Sequence, residues 1–177
     1  MQEHERPVAE RDIPARFNSH AYLNVLDTSP AEQLCLIQSA AIQDMRTSAE
    51  RHYPDEACGL LLGKLTDNGW HIDEGREVPN LNTARSADRF ILDPEAYHMV
   101  DRELHGTGRE IIGIYHSHPD CPAKPSPTDL ANAWDGFAYI IVSTYQGHAA
   151  DTQCWALNAK GNQFRAVTVQ DLHPKTD

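Results

Sequence analysis

The sequence lacks any long apolar segment. Its longest uninterrupted apolar run, Phe137 to Val142, is far shorter than the ~20 residues that a membrane-spanning helix needs. The N-terminal stretch MQEHERPVAERDIPARF also lacks the apolar region of a secretory signal, because charges occur throughout it. These two absences argue against a membrane-spanning or secreted protein and predict a cytoplasmic one.

Basic residues are scarce relative to acidic ones. Fifteen Lys and Arg face 26 Asp and Glu, which gives a formal net charge of −11 at pH 7. Such a charge repels the phosphates of nucleic acids and anionic membrane surfaces, so we expect neither as a partner. Cysteine pairs of the CxxC type are absent too, which in a reducing compartment predicts free thiols. The four cysteines are Cys35, Cys58, Cys121 and Cys154.

The composition that remains is that of a globular protein. Hydrophobic residues make up 40% of the 177 residues and charged residues 23%, which is enough apolar material for a core. The length fits one domain of ~100–150 residues with an appendage. Residues 1–30 mix charges with three prolines, so we predict an N-terminal extension there, with a short strand at Ala21–Leu26, and one domain at residues 31–177.

Apolar segments separated by turn residues predict the secondary structure. The runs LCLIQ, CGLLLG, EIIGIYHSH and FAYIIVST are typical of buried strands, and RFILD predicts a further short strand. Asp93 and Pro94 then supply the N-cap and the first residue of a helix. The order β-α-β-β-β-α-β-α-β-β-β indicates an α+β fold with a mixed, largely antiparallel sheet flanked by helices.

Two histidines end one of the predicted strands. His116 and His118 are two residues apart, so both imidazoles project from the same face and can converge on one point. Asp129 follows after the proline-rich loop PDCPAKPSP, which is stiff enough to hold a third ligand in place. Two imidazole nitrogens and one carboxylate leave a fourth tetrahedral position for water, which is typical of a hydrolytic zinc site.

Each of these features also has a purely structural interpretation. A pair of histidines two residues apart is commonly a hydrogen-bonded pair without a metal. Ser126 and Asp129 fit a capping box at the start of a helix. The capping and ligand roles of Asp129 are compatible, since a helix N-terminus favours a carboxylate held there as an anion.

The full set of motifs resembles the JAMM metalloprotease family, also called the MPN or Mov34/MPN/PAD-1 type. The signature of that family is an upstream Glu with H-x-H, seven residues, Ser, two residues and Asp. The chain has Glu56 before CGLLLG, then the two histidines, PDCPAKP, Ser126, Pro127-Thr128 and Asp129. The resemblance runs from about Leu34 to Val169, includes the phrases YPDEACGLLLG and IIGIYHSHPD, and is similar to the small prokaryotic stand-alone branch.

The resemblance implies an MPN/JAB fold, similar to that of cytidine deaminases, and a role for each matched residue. His116, His118 and Asp129 are expected to bind Zn²⁺, and Glu56 to act as general base and then general acid. Ser126 is expected to stabilise the tetrahedral oxyanion. Cys121, in the loop between the ligands, is either a thiol near the zinc or a bystander, and the pattern leaves both open.

The family implies a zinc-dependent peptidase or isopeptidase that cuts after the C-terminal Gly-Gly of a ubiquitin-like modifier or sulfur-carrier protein. The segment 80–90 is expected to form a wall of the substrate cleft. Two alternatives stay open from the sequence. One is a zinc hydrolase of small amides, and the other is a non-catalytic MPN-type binding module, against which the intact motif argues.

Overall fold

A computed structural model describes residues 13–173. The first twelve residues of the predicted extension therefore lie outside the described part. No helix in residues 13–173 is long and apolar enough to cross a membrane.

Seven strands and four α-helices make up the described chain, after a 3₁₀ turn at Ala15–Asn18. The helices are α1 (His20–Leu23), α2 (Ser39–His52), α3 (Pro94–Leu104) and α4 (Pro127–Ala131). The strands are β1 (Leu34–Gln38), β2 (Cys58–Thr66), β3 (Gly69–Val78), β4 (Glu110–Pro119), β5 (Ala138–Tyr145), β6 (His148–Leu157) and β7 (Phe164–Leu172).

The strands form one mixed sheet in the order β1-β3-β2-β4-β5-β6-β7, which closes into a barrel through the parallel β1–β7 pair. The expected α+β class with a mixed sheet is confirmed. Closure was not predicted, and parallel pairs are more frequent than expected, since β1–β3, β4–β5 and β1–β7 are all parallel. The four other pairs are antiparallel.

Side chains alternate between two hydrophobic clusters on opposite faces of the sheet. In β2, Leu61 packs with α2, whereas Leu60 and Leu62 pack with α3. Gly59 sits where a side chain would collide with the Tyr115 ring, 2.1 Å from a Cβ placed at that position. Every second side chain of β4 lies on the face that packs with α3. This face of β4 therefore positions the candidate site.

Two of the predicted strands are wrong. The segment predicted at Ala21–Leu26 forms α1 and then a single bridge from Leu26 to Phe164. RFILD forms only one bridge, between Leu92 and Asn80. There the Asn80 side chain replaces a neighbouring strand, because its amide accepts from Ile91 N at 3.0 Å and donates to Arg89 O at 3.1 Å.

Residues from 13 to 30 lie against the barrel. Val25 is only 2% exposed, and its carbonyl accepts a hydrogen bond from Phe164 N at 2.8 Å. Asp27 N donates to Phe164 O at the same distance, and the Asp27 side chain pairs with Arg165. The division of the chain at residue 30 stays a prediction.

Candidate metal centre

The predicted ligand residues converge at the end of β4. His116 Nε2 and His118 Nε2 lie 3.0 Å apart, because residues two apart share a face of the strand. Asp129 places Oδ1 3.3 Å from His116 Nε2 and Oδ2 3.5 Å from His118 Nε2. All three residues are shielded from solvent, and their ligand atoms lie within 4.8 Å of one another.

This donor set fits a tetrahedral metal ion. Ligands ~2.0–2.1 Å from a zinc ion in tetrahedral geometry are about 3.3 Å from each other, which matches the observed separations. The contact from His118 Nδ1 to Pro122 O, 2.9 Å long, requires Nδ1 to carry the hydrogen, so the lone pair of Nε2 faces the other ligands. Lone pairs and a carboxylate that face one another in a buried site are suited to share a metal cation.

Capping and ligand geometry coexist at Asp129. Its Oδ2 accepts from Ser126 N at 2.7 Å, while Ser126 Oγ accepts from Asp129 N at 3.1 Å. The predicted capping box at the start of α4 is thus confirmed. The cap fixes the rotamer of the carboxylate that approaches both histidines, and it leaves the hydroxyl hydrogen of Ser126 free to donate.

The carboxylate and the imidazoles of the site stabilise each other's charged forms. Burial raises the pKa of Asp129, but the imidazoles of His116 and His118 hold it well below its usual range. Burial lowers the pKa of His118, and the contact with Asp129 outweighs this and raises it overall. Within residues 13–173, His116 Nδ1 is buried without a hydrogen-bond partner, and the ring stacks on Phe90 with centroids 4.8 Å apart.

Glu56 lies beside this group at the start of β2. Its backbone is fixed by a hydrogen bond from Glu56 N to Ser86 O and one from Asn80 Nδ2 to Glu56 O. The residue is 6% exposed, and burial raises the pKa of its carboxyl, while His116 and His118 oppose the shift. A buried carboxyl with a raised pKa next to two imidazoles is suited to accept and return a proton.

Ser117 joins the histidine-bearing strand β4 to the residues just before β2, which include Glu56. It points to the face opposite His116, where its Oγ accepts from Ala57 N at 2.8 Å, and Ser117 N donates to Ala57 O at 3.0 Å. Ser117 is 1% exposed. It therefore fixes the residue next to Glu56 against β4.

Replacing Ser117 by Ala should lower the free energy of unfolding by about 1–3 kcal/mol, because the buried Ala57 N–H loses the hydroxyl oxygen that accepts its hydrogen bond. Urea denaturation measures this loss. Ser29→Ala is the matched control, since Ser29 is exposed and we expect no more than about 0.5 kcal/mol there. Equal midpoints for the two variants would show that the Ser117 hydroxyl does not hold the strands together.

Two cavities meet at the site. The larger cavity, about 550 Å³, is walled mainly by apolar and aromatic side chains. These are Phe90, Ile91, Leu92, Pro94, Tyr97, Ile114, Trp134 and Tyr139. The smaller cavity, about 370 Å³, is lined by the polar residues Arg16, Tyr22, Arg85, Asp88, Arg89 and His118, among others. Glu56 and Ser126 line both cavities, and so does the segment 80–90 that was predicted to wall the cleft.

All four cysteines are free, as predicted. Cys121 is not within the ligand group, and burial raises the pKa of its thiol although Arg16 opposes the shift. Arg16 Nη2 donates to Cys121 Sγ at 3.0 Å. The position of Cys121 favours the bystander interpretation.

Three contacts at the site were not predicted from the sequence. Phe90 stacks on a ligand, the carbonyl of Pro122 orients His118, and Trp155 Nε1 holds the same loop by donating to Ala123 O at 3.0 Å. Only Pro122 could be suspected, since it lies in the loop between the ligands. Arg16 lies about a hundred residues before Cys121, so no local spacing points to their contact.

The chain is similar to known proteins over most of its length. Residues 38–158 match the family described as prokaryotic homologs of the JAB domain. The chain is 29% identical over 75% of its length to the desampylase of Haloferax volcanii, of which 89% is covered. It is 32% identical over 69% of its length to the CysO-cysteine peptidase of Mycobacterium tuberculosis, of which 82% is covered.

A solution structure of a protein from Desulfitobacterium hafniense has the same fold. It superimposes with a TM-score of 0.69 over 80% of this chain and 94% of that one, at 22% identity. At that identity the likeness concerns the fold alone.

Proposed function

The chain belongs to the family of prokaryotic homologs of the JAB domain, the stand-alone branch of the JAMM peptidases, and from this premise we propose its reaction and substrate. We propose that it is a zinc-dependent peptidase or isopeptidase. Its substrate is a ubiquitin-like modifier or sulfur-carrier protein, and the cut falls after the C-terminal Gly-Gly. The observation that carries this proposal is the convergence of two imidazoles and a carboxylate beside a buried glutamate.

His116, His118 and Asp129 would hold the zinc ion through the atoms that lie 3.0–3.5 Å apart. When bound, zinc supplies Lewis acidity, which lowers the pKa of water toward ~7 and polarises a carbonyl oxygen. The protein keeps His118 oriented through Pro122 O and Asp129 oriented through Ser126 N. Both contacts favour one ligand geometry before any metal arrives.

Glu56 moves the protons. Its carboxylate accepts a proton from the attacking water and then donates that proton to the nitrogen of the leaving amine. Burial supports this double role, because the raised pKa brings the carboxyl nearer to the pH at which it exchanges a proton readily. Ser126 lines the same space and its hydroxyl hydrogen is not used by the cap, so it can donate to the developing oxyanion.

The larger cavity suits the tail of the substrate. Glycine has no side chain, so an extended Gly-Gly segment can pass through a narrow cleft. Its backbone can then form hydrogen bonds with the backbone of a cleft wall such as segment 80–90. The names of the two relatives, a desampylase and a CysO-cysteine peptidase, indicate protein modifiers and sulfur carriers as the substrate class. A net charge of −11 favours partners with basic patches, which are steered to the enzyme at low salt.

A substrate whose second glycine is replaced by Leu should be cleaved at least about tenfold more slowly, because the branched side chain collides with a wall built for bare backbone. The assay compares ubiquitin-fold fusions that end in Gly-Gly or Gly-Leu before the same leaving group, with a small acyl amide as a third substrate. Mass spectrometry locates the cut.

Equal rates for the two tails would refute the modifier-processing function. Cleavage of the small amide alone would replace it by the amidase alternative. Cleavage directly after the second glycine, with little activity on the amide, is the expected result.

A further inference from the structure

The N-terminal segment is anchored so that its side chains have fixed positions at the site. The pair of backbone hydrogen bonds between Val25, Asp27 and Phe164 holds it to β7, and Gln163 Nε2 donates to Asn24 O at 3.0 Å. Phe17 is 7% exposed, and its ring contacts Tyr22 with centroids 4.9 Å apart. This segment precedes residues 38–158, to which the family match is confined.

The anchored segment reaches the metal-ligand group itself. The Phe17 ring lies 6.3 Å from the His118 ring, measured between centroids. Arg16 places its guanidinium carbon 5.3 Å from the Phe17 centroid and donates to Cys121 Sγ in the loop between the ligands. Arg16 and Phe17 therefore line the smaller cavity together with Glu56 and His118.

Arg16 is the arginine of the smaller cavity whose charge is not neutralised by an ion pair within residues 13–173. Arg85 and Arg89 both pair with Asp88, whereas the polar contact of Arg16 is with a thiol sulfur. In a chain with 26 acidic residues, a guanidinium that lines the cavity beside the ligands and forms no ion pair within residues 13–173 is a ready partner for an anionic substrate group.

We propose that the smaller cavity is the leaving-group subsite and that Arg16 binds the free α-carboxylate of a single amino acid attached to the modifier tail. This inference rests on the proposed function and makes its substrate more specific. Water adds to the carbonyl carbon of the last glycine, the C–N bond breaks, and the amino acid leaves with the proton from Glu56. The second proton of the water passes from the new carboxyl group to the released amino group, so the tail ends in a carboxylate, the amino acid carries an ammonium group, and atoms and charges balance.

The chemistry of the possible leaving groups favours an amino acid. Its α-carboxylate carbon is about 2.5 Å from the scissile nitrogen, since only the Cα lies between them. A lysine side chain in an isopeptide presents four methylenes there and no free carboxylate. The Gly-Gly tail itself has no charged group that could use Arg16, which leaves the larger, apolar cavity for the tail.

Arg16→Gln tests the inference with three substrates that share one ubiquitin-fold protein ending in Gly-Gly. The first carries a C-terminal amino acid with a free carboxylate, the second the same amino acid as its carboxamide, and the third a peptide joined through a lysine side chain. Arg102→Gln is the matched control, because Arg102 is exposed on α3 and lines neither cavity.

We expect Arg16→Gln to lower kcat/KM for the free carboxylate about 10- to 100-fold, the range of a charge-assisted hydrogen bond. For the other two substrates, Arg16→Gln should change kcat/KM less than about twofold. Arg102→Gln should leave kcat/KM unchanged for all three substrates. In the wild type, kcat/KM should be lower for the carboxamide than for the free carboxylate. In Arg16→Gln this difference between the two substrates should disappear.

Equal losses on all three substrates would mean that Arg16 acts on the fold and would overturn the inference while the proposed function stands. Unchanged rates for the free carboxylate would overturn it in the same way. If the wild type cleaves none of the three, the proposed function fails and the inference fails with it.

Discussion

Glu56→Gln should lower kcat by about 10²–10⁴-fold while the protein keeps its fold and its metal. Gln has the size and shape of Glu but cannot accept a proton from water or return it to the leaving nitrogen. Both proton transfers are assigned to this one side chain, which is buried beside His116 and His118. Steady-state kinetics on a Gly-Gly-tailed substrate measures the loss.

The control for that variant is Glu32→Gln, which changes an exposed carboxylate that lines neither cavity and should retain full activity. Metal content and the unfolding midpoint, measured for both variants, separate lost chemistry from lost structure. A loss smaller than about threefold for Glu56→Gln would require another general base.

Loss of one ligand should remove the metal and the activity together. We expect His118→Ala and Asp129→Asn each to bind far less than one zinc per chain, because three-ligand sites depend on every donor. Asn is the sharper choice at position 129, since its amide oxygen can still accept from Ser126 N and preserve the start of α4. Elemental analysis after dialysis gives the metal content.

His148→Ala serves as the matched control, because His148 is exposed on β6. This variant should bind as much zinc as the wild type. A chelator should abolish wild-type activity, and added Zn²⁺ should restore it. Near-stoichiometric zinc in both ligand variants would show that the metal binds elsewhere.

Local patterns and the family resemblance predict a group of residues that the structure brings together, while their roles stay predictions. The spacing of His116 and His118 works because a strand has a period of two, and the Ser126 capping box places Asp129 within reach of both. The start of α3 was equally readable, since Asp93 accepts from Glu95 N and Pro94 follows it. In each case the deciding interactions join residues a few positions apart.

The pairing of strands that are far apart in the sequence could not be predicted. Barrel closure depends on β1 pairing with β7, more than a hundred residues later, and neither strand carries a local sign of its partner. The failed strand at RFILD has a comparable cause, because one side chain, Asn80, satisfies backbone groups that a strand would have used. The contact between Arg16 and Cys121, 105 positions apart, belongs to the same class.

The most direct test of the central claim is hydrolysis in ¹⁸O-labelled water, read by intact-mass and fragment spectrometry of the released modifier. The metal-loaded wild type should yield a product that ends at the second glycine and carries one ¹⁸O atom in its new carboxylate, and the metal-free enzyme should yield none. A cut at any other bond, or equal product without metal, would contradict the assignment of a metal-dependent peptidase acting after Gly-Gly.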